Sequence, residues 1–582
     1  MHPQWRYRAR RLLAWLAAVT VAVGLTTVVV AGARPAAASD NGLSIRPAMG
    51  WSSWSFVRRT PTEAVIKAQA DAMKNSGLSA HGFVYINLDD FWMRCDSNGP
   101  MVDSFGRWVV DTARFPSGMR ALADYVHNDG LKFGLYVTPG IAQNAVMQNT
   151  VIAGTDRHAA DIADTSKTEK NYNCRHMYYI DYSKAGAQEF INSWAAQFAS
   201  WGVDYLKIDG VGSQDIPDVR AWASALRASG RQINYALSNN LAIADASTWR
   251  QYANSWRTQG DLECYCGPGP NGSGYPITDW SHVLTRFGSA ASWQPYAGPG
   301  GWNDLDSLEI GNGDRIGLTV DQRRSHFTLW AMAASPLLLG TDLTHLDATD
   351  TAMLTNDRLI AVDQDGVAAR RIVSSGGNQV WSKREANGDH VVALFNTATS
   401  GSSTVSVNWS QVGFSGSAQV TDLWSGADRG VITDTYSTTL RPGEARLIRA
   451  TPVSGGGRVT IEAEAAGNTL AGAAAVATCS TCSGGAKVRF IGKSAANYET
   501  VNNVAVGAAG SRTLTITGEV SGTRTFFVSV NGAAAGQVAL TGASWSTPVS
   551  ATTTVSLNAG DNTIRFFNDT GYAPDLDKIA IG

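Results

Sequence analysis

Charged residues are scarce in this chain of 582 residues, making up 16% of it, and the formal net charge is −2. Nucleic acid is not an expected partner, because phosphate binding needs a basic block or stripe and the sequence has neither. Repetition at a solenoid or propeller period is also missing, which argues against those folds. No histidine stands at ligand spacing beside any of the six cysteines, which argues against a zinc site.

The N-terminus carries a targeting pattern. Four arginines between residues 6 and 11 precede an apolar run over 12–33, and three alanines follow at 36–38. This pattern predicts a signal peptide over 1–38 and a secreted, extracellular protein. An uncleaved membrane anchor is the alternative, because the apolar run is long for a signal peptide. No later segment is apolar enough to span a bilayer, so no stable membrane association is expected after cleavage.

Export into an oxidising compartment makes disulfide bonds the expected state of the cysteines. Six cysteines allow many pairings, and the sequence alone does not choose among them. The plausible bridges join Cys95 with Cys174, Cys264 with Cys266, and Cys479 with Cys482.

Short apolar strands alternate with amphipathic helices over 43–365, which predicts an α/β TIM barrel, (β/α)8, as the catalytic domain. The candidate strands are 48–51, 83–88, 132–137, 205–208, 232–237, 255–258, 301–304 and 337–339. The candidate helices include 63–76, 117–128, 185–201, 219–229 and 321–334.

The helical pattern stops after the barrel. Alternating short strands with Gly, Ser and Thr turns predict an antiparallel β domain over 366–452. A Gly-rich linker at 453–457 leads to a segment over 458–582 rich in Val, Thr, Ala and Gly, which predicts a C-terminal β-sandwich.

Function in a TIM barrel lies at the carboxyl ends of the strands, and here acidic residues gather there. Lys207 and Asp209 stand two residues apart on the fourth strand and therefore face the same side, where the ammonium would keep the carboxylate ionised as a nucleophile requires. A structural ion pair is the alternative. Asp261 supplies a second carboxylate for acetal hydrolysis, as proton donor, and Arg257 could orient it or form only a surface salt bridge.

Two adjacent carboxylates, Asp89 and Asp90, follow the second strand. Such a pair is stable in one pocket if each carboxylate accepts hydrogen bonds from ligand hydroxyls. Metal ligation and a solvated turn are the alternatives.

Several motifs occur in the order found in glycoside hydrolase family 27, the family of α-galactosidases and α-N-acetylgalactosaminidases, which the chain resembles over about residues 43–450. They are 49–54 (MGWSSW), 88–92 (LDDFW), 205–210 (YLKIDG), 256–261 (WRTQGD) and 297–306 (AGPGGWNDLD).

The resemblance implies a retaining hydrolase that needs no cofactor for catalysis, with Asp209 as nucleophile and Asp261 as acid/base. It implies that Asp89 and Asp90 bind the C4 and C6 hydroxyls of the sugar. Further substrate-binding residues implied by the resemblance are Trp54 and Tyr136, which would line the pocket, and Lys207, Arg257 and Asp306, which would hold the remaining hydroxyls.

The chain also departs from the family pattern. Val211 follows Gly210 where many members have a cysteine, and a long insertion occupies 144–182. Ser238 stands where galactosidases commonly place a glutamate for the C2 hydroxyl, which resembles the N-acetylgalactosaminidase branch. We expect hydrolysis of terminal α-D-galactosyl residues from oligo- and polysaccharides, with isomalto-dextranase, β-L-arabinopyranosidase and α-N-acetylgalactosaminidase as alternatives.

The last segment resembles the carbohydrate-binding modules of families 6 and 35. That resemblance implies a structural Ca²⁺ held by Glu462, Glu464 and Asp577, and a polysaccharide partner. Ordinary edge-strand charges are the alternative for these acids. A lectin-like protein without catalysis is the non-enzymatic alternative for the whole chain, although both catalytic carboxylates are present.

Overall fold

One sheet of eight parallel strands organises the fold in a computed structural model, which describes residues 41–269, 272–311, 313–453, 459–506 and 509–582. The strands lie side by side in the order β7-β6-β5-β4-β3-β2-β1-β8. They are β1 Met49–Ser52, β2 Tyr85–Asn87, β3 Lys132–Val137, β4 Tyr205–Ile208, β5 Asn234–Leu237, β6 Ser255–Arg257, β7 Trp302–Asp304 and β8 Leu337–Leu339.

Neighbouring barrel strands approach closely, and glycine permits this at β1. A Cβ on Gly50 would lie 2.3 Å from the carbonyl oxygen of Tyr85 on β2. The two edge strands are joined through the segment after β7, where Leu308 forms a parallel bridge to Leu339. The amide of Leu308 donates to the carbonyl of Leu338 at 2.8 Å. The predicted TIM barrel is therefore confirmed, with a closure made by the chain beyond β7.

A helix follows each barrel strand. The helices are Glu63–Asn75, Gly118–Asn128, Ala187–Trp201, Ile216–Ala228, Ala246–Tyr252, Trp280–Trp293 and Val320–Ala333, with the pair Ala348–Leu354 and Asp357–Asp363 after β8. Shorter α-helices occupy Trp54–Val57, Gln143–Met147 and Ala159–Ile162. Single 3₁₀ turns lie at Leu78–His81, Ser213–Asp215, Ile243–Asp245, Gln294–Tyr296, Gly313–Ile316, Leu343–His345, Trp409–Val412 and Ser483–Gly485.

Local sequence explains these helices. The helix Gly118–Asn128 buries one stripe at helical spacing, namely Met119, Leu122, Ala123 and Val126. The helix Glu63–Asn75 begins after Thr62, whose side chain accepts a hydrogen bond from the amide of Val65 and so satisfies a free N–H of the first turn. Both helices lie within two residues of their predicted bounds.

The insertion after β3 forms its own small antiparallel sheet, with Met177–Ile180 between Ile141–Ala142 and Ala163–Glu169. The disulfide bond between Cys95 and Cys174 joins it to a hairpin in the loop after β2, built from Cys95–Asp96 and Gly99–Pro100. The insertion is thereby tied to a second loop at the same end of the barrel.

Two antiparallel β structures follow the barrel, as predicted. The first pairs Arg370–Ser375, Asn378–Arg384, His390–Asn396, Ala445–Pro452, Ser417–Asp422 and Asp428–Thr433 in that order, beside a ribbon of Ser403–Asn408 and Thr435–Leu440. The second contains Val459–Glu462, Thr469–Ala471, Ala475–Thr478, Ala486–Arg489, Tyr498–Val506, Gly510–Val530, Ala533–Leu557, Gly560–Phe567 and Asp575–Ile581.

The three cysteine pairs named from the sequence are all bonded in the structure, namely Cys95–Cys174, Cys264–Cys266 and Cys479–Cys482. The predicted signal peptide, 1–38, lies outside the described residues, as do residues 454–457 of the predicted linker. Within the described ranges no helix is both long and apolar enough to cross a membrane.

Candidate active site

The end of β4 presents Lys207 and Asp209 toward the carboxyl face of the barrel. The Lys207 ammonium donates to Asp89 Oδ2 at 2.8 Å and lies 5.6 Å from the centre of the Tyr136 ring. Its direct partner is therefore Asp89 and not the neighbouring Asp209 that the sequence suggested. Burial alone would lower the pKa of Lys207, but the charges of Asp89 and Asp209 raise it well above its usual value.

The two adjacent carboxylates after β2 are buried, so the solvated turn considered from the sequence is wrong. Asp89 is 3% exposed and Asp90 is 1% exposed. The Phe91 amide donates to Asp90 Oδ1 at 2.7 Å, whereas Asp90 Oδ2 is buried without a hydrogen-bond partner among the described residues. The hydroxyl of Tyr136 is unpartnered in the same way.

Burial raises the pKa of Asp90 to about 8, and the charges of Asp89 and Asp209 add to the effect. Burying a polar atom without a partner costs free energy, so these oxygens indicate a site prepared for a ligand that carries hydroxyl groups. Asp89, Asp90, Tyr136 and Lys207 together offer hydrogen-bond donors and acceptors that suit the hydroxyl groups of a sugar.

The end of β6 carries a second carboxylate group arranged around Arg257. The buried guanidinium contacts Asp306 Oδ2 at 2.8 Å and Asp261 Oδ1 at 3.2 Å. The hydroxyl of Tyr265 donates to the other oxygen of Asp261. Arg257 is 4% exposed, which excludes the surface salt bridge considered from the sequence.

Asp261 itself is open to solvent, with 39% of its side chain exposed. Partial burial would raise the pKa of Asp261, but the charge of Arg257 and the Tyr265 hydroxyl together hold it below its usual value. Asp261 therefore favours the ionised state in the free protein.

Acidic side chains near Asp261 are close enough to hold a metal ion, since ligand atoms of Asp261, Glu263 and Asp306 lie within 4.8 Å of one another. The guanidinium of Arg257 already contacts both aspartates, so a positive charge is present at this place. Asp89 and Asp90 belong to no such group among the residues described, and metal ligation is not needed to explain them.

Two more predicted site residues lie at the ends of β1 and β5. Trp54 donates from its indole nitrogen to the Tyr265 hydroxyl at 2.9 Å and stacks on Phe91 with ring centres 6.3 Å apart. Ser238 is 2% exposed, and its hydroxyl has no partner among the described residues. Its carbonyl accepts from the amide of Val211, which places Ser238 beside the residue after Gly210.

Two tyrosines of this site lie outside the set of residues that the sequence predicts. Tyr265 stands between two bonded cysteines, and that pattern was the available signal. Tyr172 belongs to the insertion and is half exposed, and its hydroxyl would lie 3.6 Å from a Cβ built on Gly210. Burial raises the pKa of Tyr172, and the charges of Asp209 and Asp261 add to the effect. No motif within the insertion indicated this placement.

Two family models match the chain. One, described as alpha galactosidase A, covers residues 46–167 and 182–365, and the other, described as the alpha galactosidase C-terminal beta sandwich domain, covers 375–450. The chain belongs to the alpha-galactosidase family. It is therefore a glycoside hydrolase, and residues 168–181 of the insertion fall between the matched segments of the family model.

Individual members of the alpha-galactosidase family agree with this assignment. Alpha-galactosidase 3 of Arabidopsis thaliana is 36% identical over 400 residues, covering 67% of this chain and 78% of the relative. The GH27 β-L-arabinopyranosidase of Geobacillus stearothermophilus superposes with a TM-score of 0.63 at 30% identity, covering 71% of this chain and 98% of that structure. Alpha-galactosidase I of Mortierella vinacea gives a TM-score of 0.56 at 27% identity, with coverages of 71% and 98%.

Proposed function

We propose that the protein is a secreted, retaining exo-glycosidase that hydrolyses terminal α-D-galactosyl residues of oligo- and polysaccharides. The observation that carries the proposal is the pair of carboxylates at the ends of β4 and β6, Asp209 and Asp261, beside a pocket with unpartnered buried oxygens on Asp90, Tyr136 and Ser238. The galactosidase relatives support the choice of sugar.

In the first step a carboxylate oxygen of Asp209 forms a bond to the anomeric carbon while the bond from that carbon to the glycosidic oxygen breaks. Asp261, in the fraction of the enzyme in which it has taken up a proton from solvent, gives that proton to the departing oxygen. In the second step Asp261 takes a proton from water, the water oxygen bonds to the anomeric carbon, and Asp209 leaves as a carboxylate. Two displacements at one carbon retain its configuration.

The surroundings of the two carboxylates suit these different roles. The charge of Asp209 helps to raise the pKa of Lys207, so an ammonium lies near the proposed nucleophile. Solvent reaches Asp261, so its proton can exchange between the steps, and Arg257 and Tyr265 favour the ionised form that the second step requires. Asp89, Asp90, Tyr136 and Asp306 would bind sugar hydroxyls, and Trp54 would pack on the ring.

Substrate choice is tested with a panel of p-nitrophenyl glycosides: α-galactoside, α-N-acetylgalactosaminide and β-L-arabinopyranoside, with dextran as a fourth substrate. We expect the highest kcat/KM on the α-galactoside. A higher value on the β-L-arabinopyranoside would make the protein resemble its arabinopyranosidase relative in activity, and would overturn the choice of sugar. Binding of galactosides without turnover of any substrate would favour the lectin-like alternative.

Retention is tested by following the anomeric proton of newly released galactose. The α-anomer should appear first and mutarotate later, and initial release of the β-anomer would contradict the double displacement. The variant Asp209→Gly supplied with azide should form β-galactosyl azide, because azide enters the space of the nucleophile from the same face.

We also propose that the C-terminal strands over 459–581 form a polysaccharide-binding module stabilised by Ca²⁺. Glu462, Glu464 and Asp577 each have one buried carboxylate oxygen without a hydrogen-bond partner among the described residues, and Glu499, which is 0% exposed, lies beside Glu464. Oxygen donors of this kind fit Ca²⁺, although this set is not among the groups whose ligand atoms all lie within 4.8 Å.

The calcium proposal is tested by thermal unfolding of the full chain, once with EDTA and once with about 1 mM CaCl₂. This concentration is on the order of the dissociation constants of the weaker extracellular calcium sites. Calcium should raise the Tm of the C-terminal transition in the parent protein. It should not change this Tm in the double variant with Glu462→Gln and Glu464→Gln. An equal Tm with EDTA and calcium in the parent would remove the proposal.

Secretion is supported by the three disulfide bonds and is tested by N-terminal sequencing of protein recovered from culture medium.

A further inference from the structure

We infer that Tyr265 is a positioning residue for the acid/base carboxylate Asp261, and that the disulfide bond between Cys264 and Cys266 holds this tyrosine in place. The inference rests on the acid/base role proposed for Asp261. The inference assigns a role to the loop that contains Cys264, Tyr265 and Cys266 in sequence.

The side chain of Tyr265 is held from three directions. Its hydroxyl donates to Asp261 Oδ2 and accepts from the indole nitrogen of Trp54 at 2.9 Å. The guanidinium of Arg58 lies 4.8 Å from the centre of its ring. Because Arg257 binds the other oxygen of Asp261, both carboxylate oxygens have a fixed partner and the carboxyl group cannot rotate without losing one of them.

The backbone of Tyr265 is equally constrained. Its φ is +48°, in the left-handed region that residues with a side chain seldom occupy. The cysteines on either side of it are bonded to each other, which closes a small ring over this one residue. A Cβ on Gly272 would lie 1.5 Å from the Tyr265 carbonyl oxygen, so the backbone of the loop at Gly272 packs directly on the Tyr265 peptide.

A hydrogen bond from a hydroxyl to a carboxylate stabilises the ionised form and so lowers the carboxyl pKa. Tyr265 is not alone in setting the ionisation of Asp261, because other charged or titratable groups face it from several elements. They are Arg257 on β6, Lys207 on β4, Glu263 in the same loop, Asp306 after β7, Tyr172 of the insertion and Arg286 on the helix Trp280–Trp293. Removing the Tyr265 hydroxyl leaves these groups in place.

The alkaline limb of kcat/KM reports the acid/base in the free enzyme, since the first step needs its proton. In Tyr265→Phe the carboxylate loses one stabilising partner, so the limb should move to higher pH, by about half a unit to one unit for one hydrogen bond. The variant with Cys264→Ser and Cys266→Ser should move the limb in the same direction, because the tyrosine is then free to leave Asp261.

The matched control is Tyr125→Phe. Tyr125 also donates to an aspartate, Asp71, at 2.8 Å, but on the outside of the barrel, so its loss should leave the pH profile of kcat/KM unchanged. Folding of each variant is checked by circular dichroism and Tm. If Tyr265→Phe does not fold, the cysteine double variant carries the test.

The positioning role of Tyr265 and the acid/base role of Asp261 can be disproved separately. An unchanged alkaline limb in Tyr265→Phe overturns the inference about the tyrosine, and an unchanged limb in the double serine variant overturns the role of the disulfide bond. If instead Asp261→Ala keeps the parent limb and gives no α-galactosyl azide with azide, the acid/base assignment itself is wrong. Two results together support both roles: the alkaline limb shifts in Tyr265→Phe, and it is lost in Asp261→Ala.

Discussion

The two halves of the active site are built differently. Around the end of β4, Asp209 is flanked by Lys207, whose ammonium is bonded to the buried Asp89. Around the end of β6, Asp261 is 39% exposed and is held by one strand residue, Arg257, and one loop residue, Tyr265. The side of Asp209, the proposed nucleophile, depends on strand geometry, whereas the side of Asp261, the proposed acid/base, depends on a loop closed by a disulfide bond.

This difference agrees with the chemistry proposed for each side. A carboxylate nucleophile attacks in its charged form, so an ammonium nearby is suitable. An acid/base changes protonation in every cycle, and a solvent-exposed carboxylate can exchange its proton with water. The contrast suggests that substitutions on the β4 side affect all substrates, while those on the β6 side depend on the leaving group.

The largest expected effect separates the two carboxylates. Asp209→Gly should lower kcat by about 10⁴-fold or more on every α-galactoside, because no leaving group replaces the missing nucleophile. Asp261→Ala should lower kcat/KM by about 10² to 10⁴-fold on methyl α-galactoside and far less on the p-nitrophenyl glycoside, whose leaving group needs little protonation.

Kinetics of both variants on both substrates check this prediction, with Asp156→Asn on an exposed loop as the control. Equal losses for Asp261→Ala on the two substrates would break the proposed contrast.

An intermediate effect is expected at the ammonium. Lys207→Met leaves the buried Asp89 without its charged partner, and leaving a buried charge uncompensated costs about 3 to 5 kcal/mol of unfolding free energy. Denaturant unfolding at pH 7 measures the loss. Arg257→Met on the other side removes the partner of Asp306, which is also largely buried, and serves as the comparison. A loss below about 1 kcal/mol for Lys207→Met, the size expected of a surface pair, would show that the buried Asp89 does not depend on this partner.

The smallest effect concerns pH and Asp90. Its pKa of about 8 in the folded protein exceeds the unfolded value, so between about pH 4 and pH 8 the unfolded chain loses this proton while the folded protein keeps it. Asp90 therefore makes the protein less stable as pH rises through that window. The Tm of Asp90→Asn minus the Tm of the parent should therefore increase from pH 4 to pH 8. The KM of the variant for the α-galactoside should be higher than that of the parent.

Thermal scans across this pH range check the prediction, with Asp103→Asn, which removes a partly exposed ion pair, as the control. A constant Tm difference between parent and Asp90→Asn would show that the carboxyl is not protonated in the folded state at neutral pH.

Much of the barrel could be predicted from local pattern. Three predicted strands, β3, β4 and β8, have the observed bounds, because apolar runs of this length are recognisable without their neighbours. The sequence does not predict the helices Ala246–Tyr252 and Trp280–Trp293, since the first is short and the second follows a loop rich in Gly and Pro. Closure through Leu308 was also not predictable, because it depends on how the edge strands meet.

The sequence by itself determined where the strands lie, which carboxylates end them and which family the motifs resemble. These properties are local, since alternation along a strand sets the direction of each side chain. Only the tertiary structure decided that Lys207 binds Asp89, that Tyr265 binds Asp261 and that Tyr172 reaches Gly210. Each of these contacts joins different strand ends or loops, and their meeting depends on sheet register and loop closure that no single segment encodes.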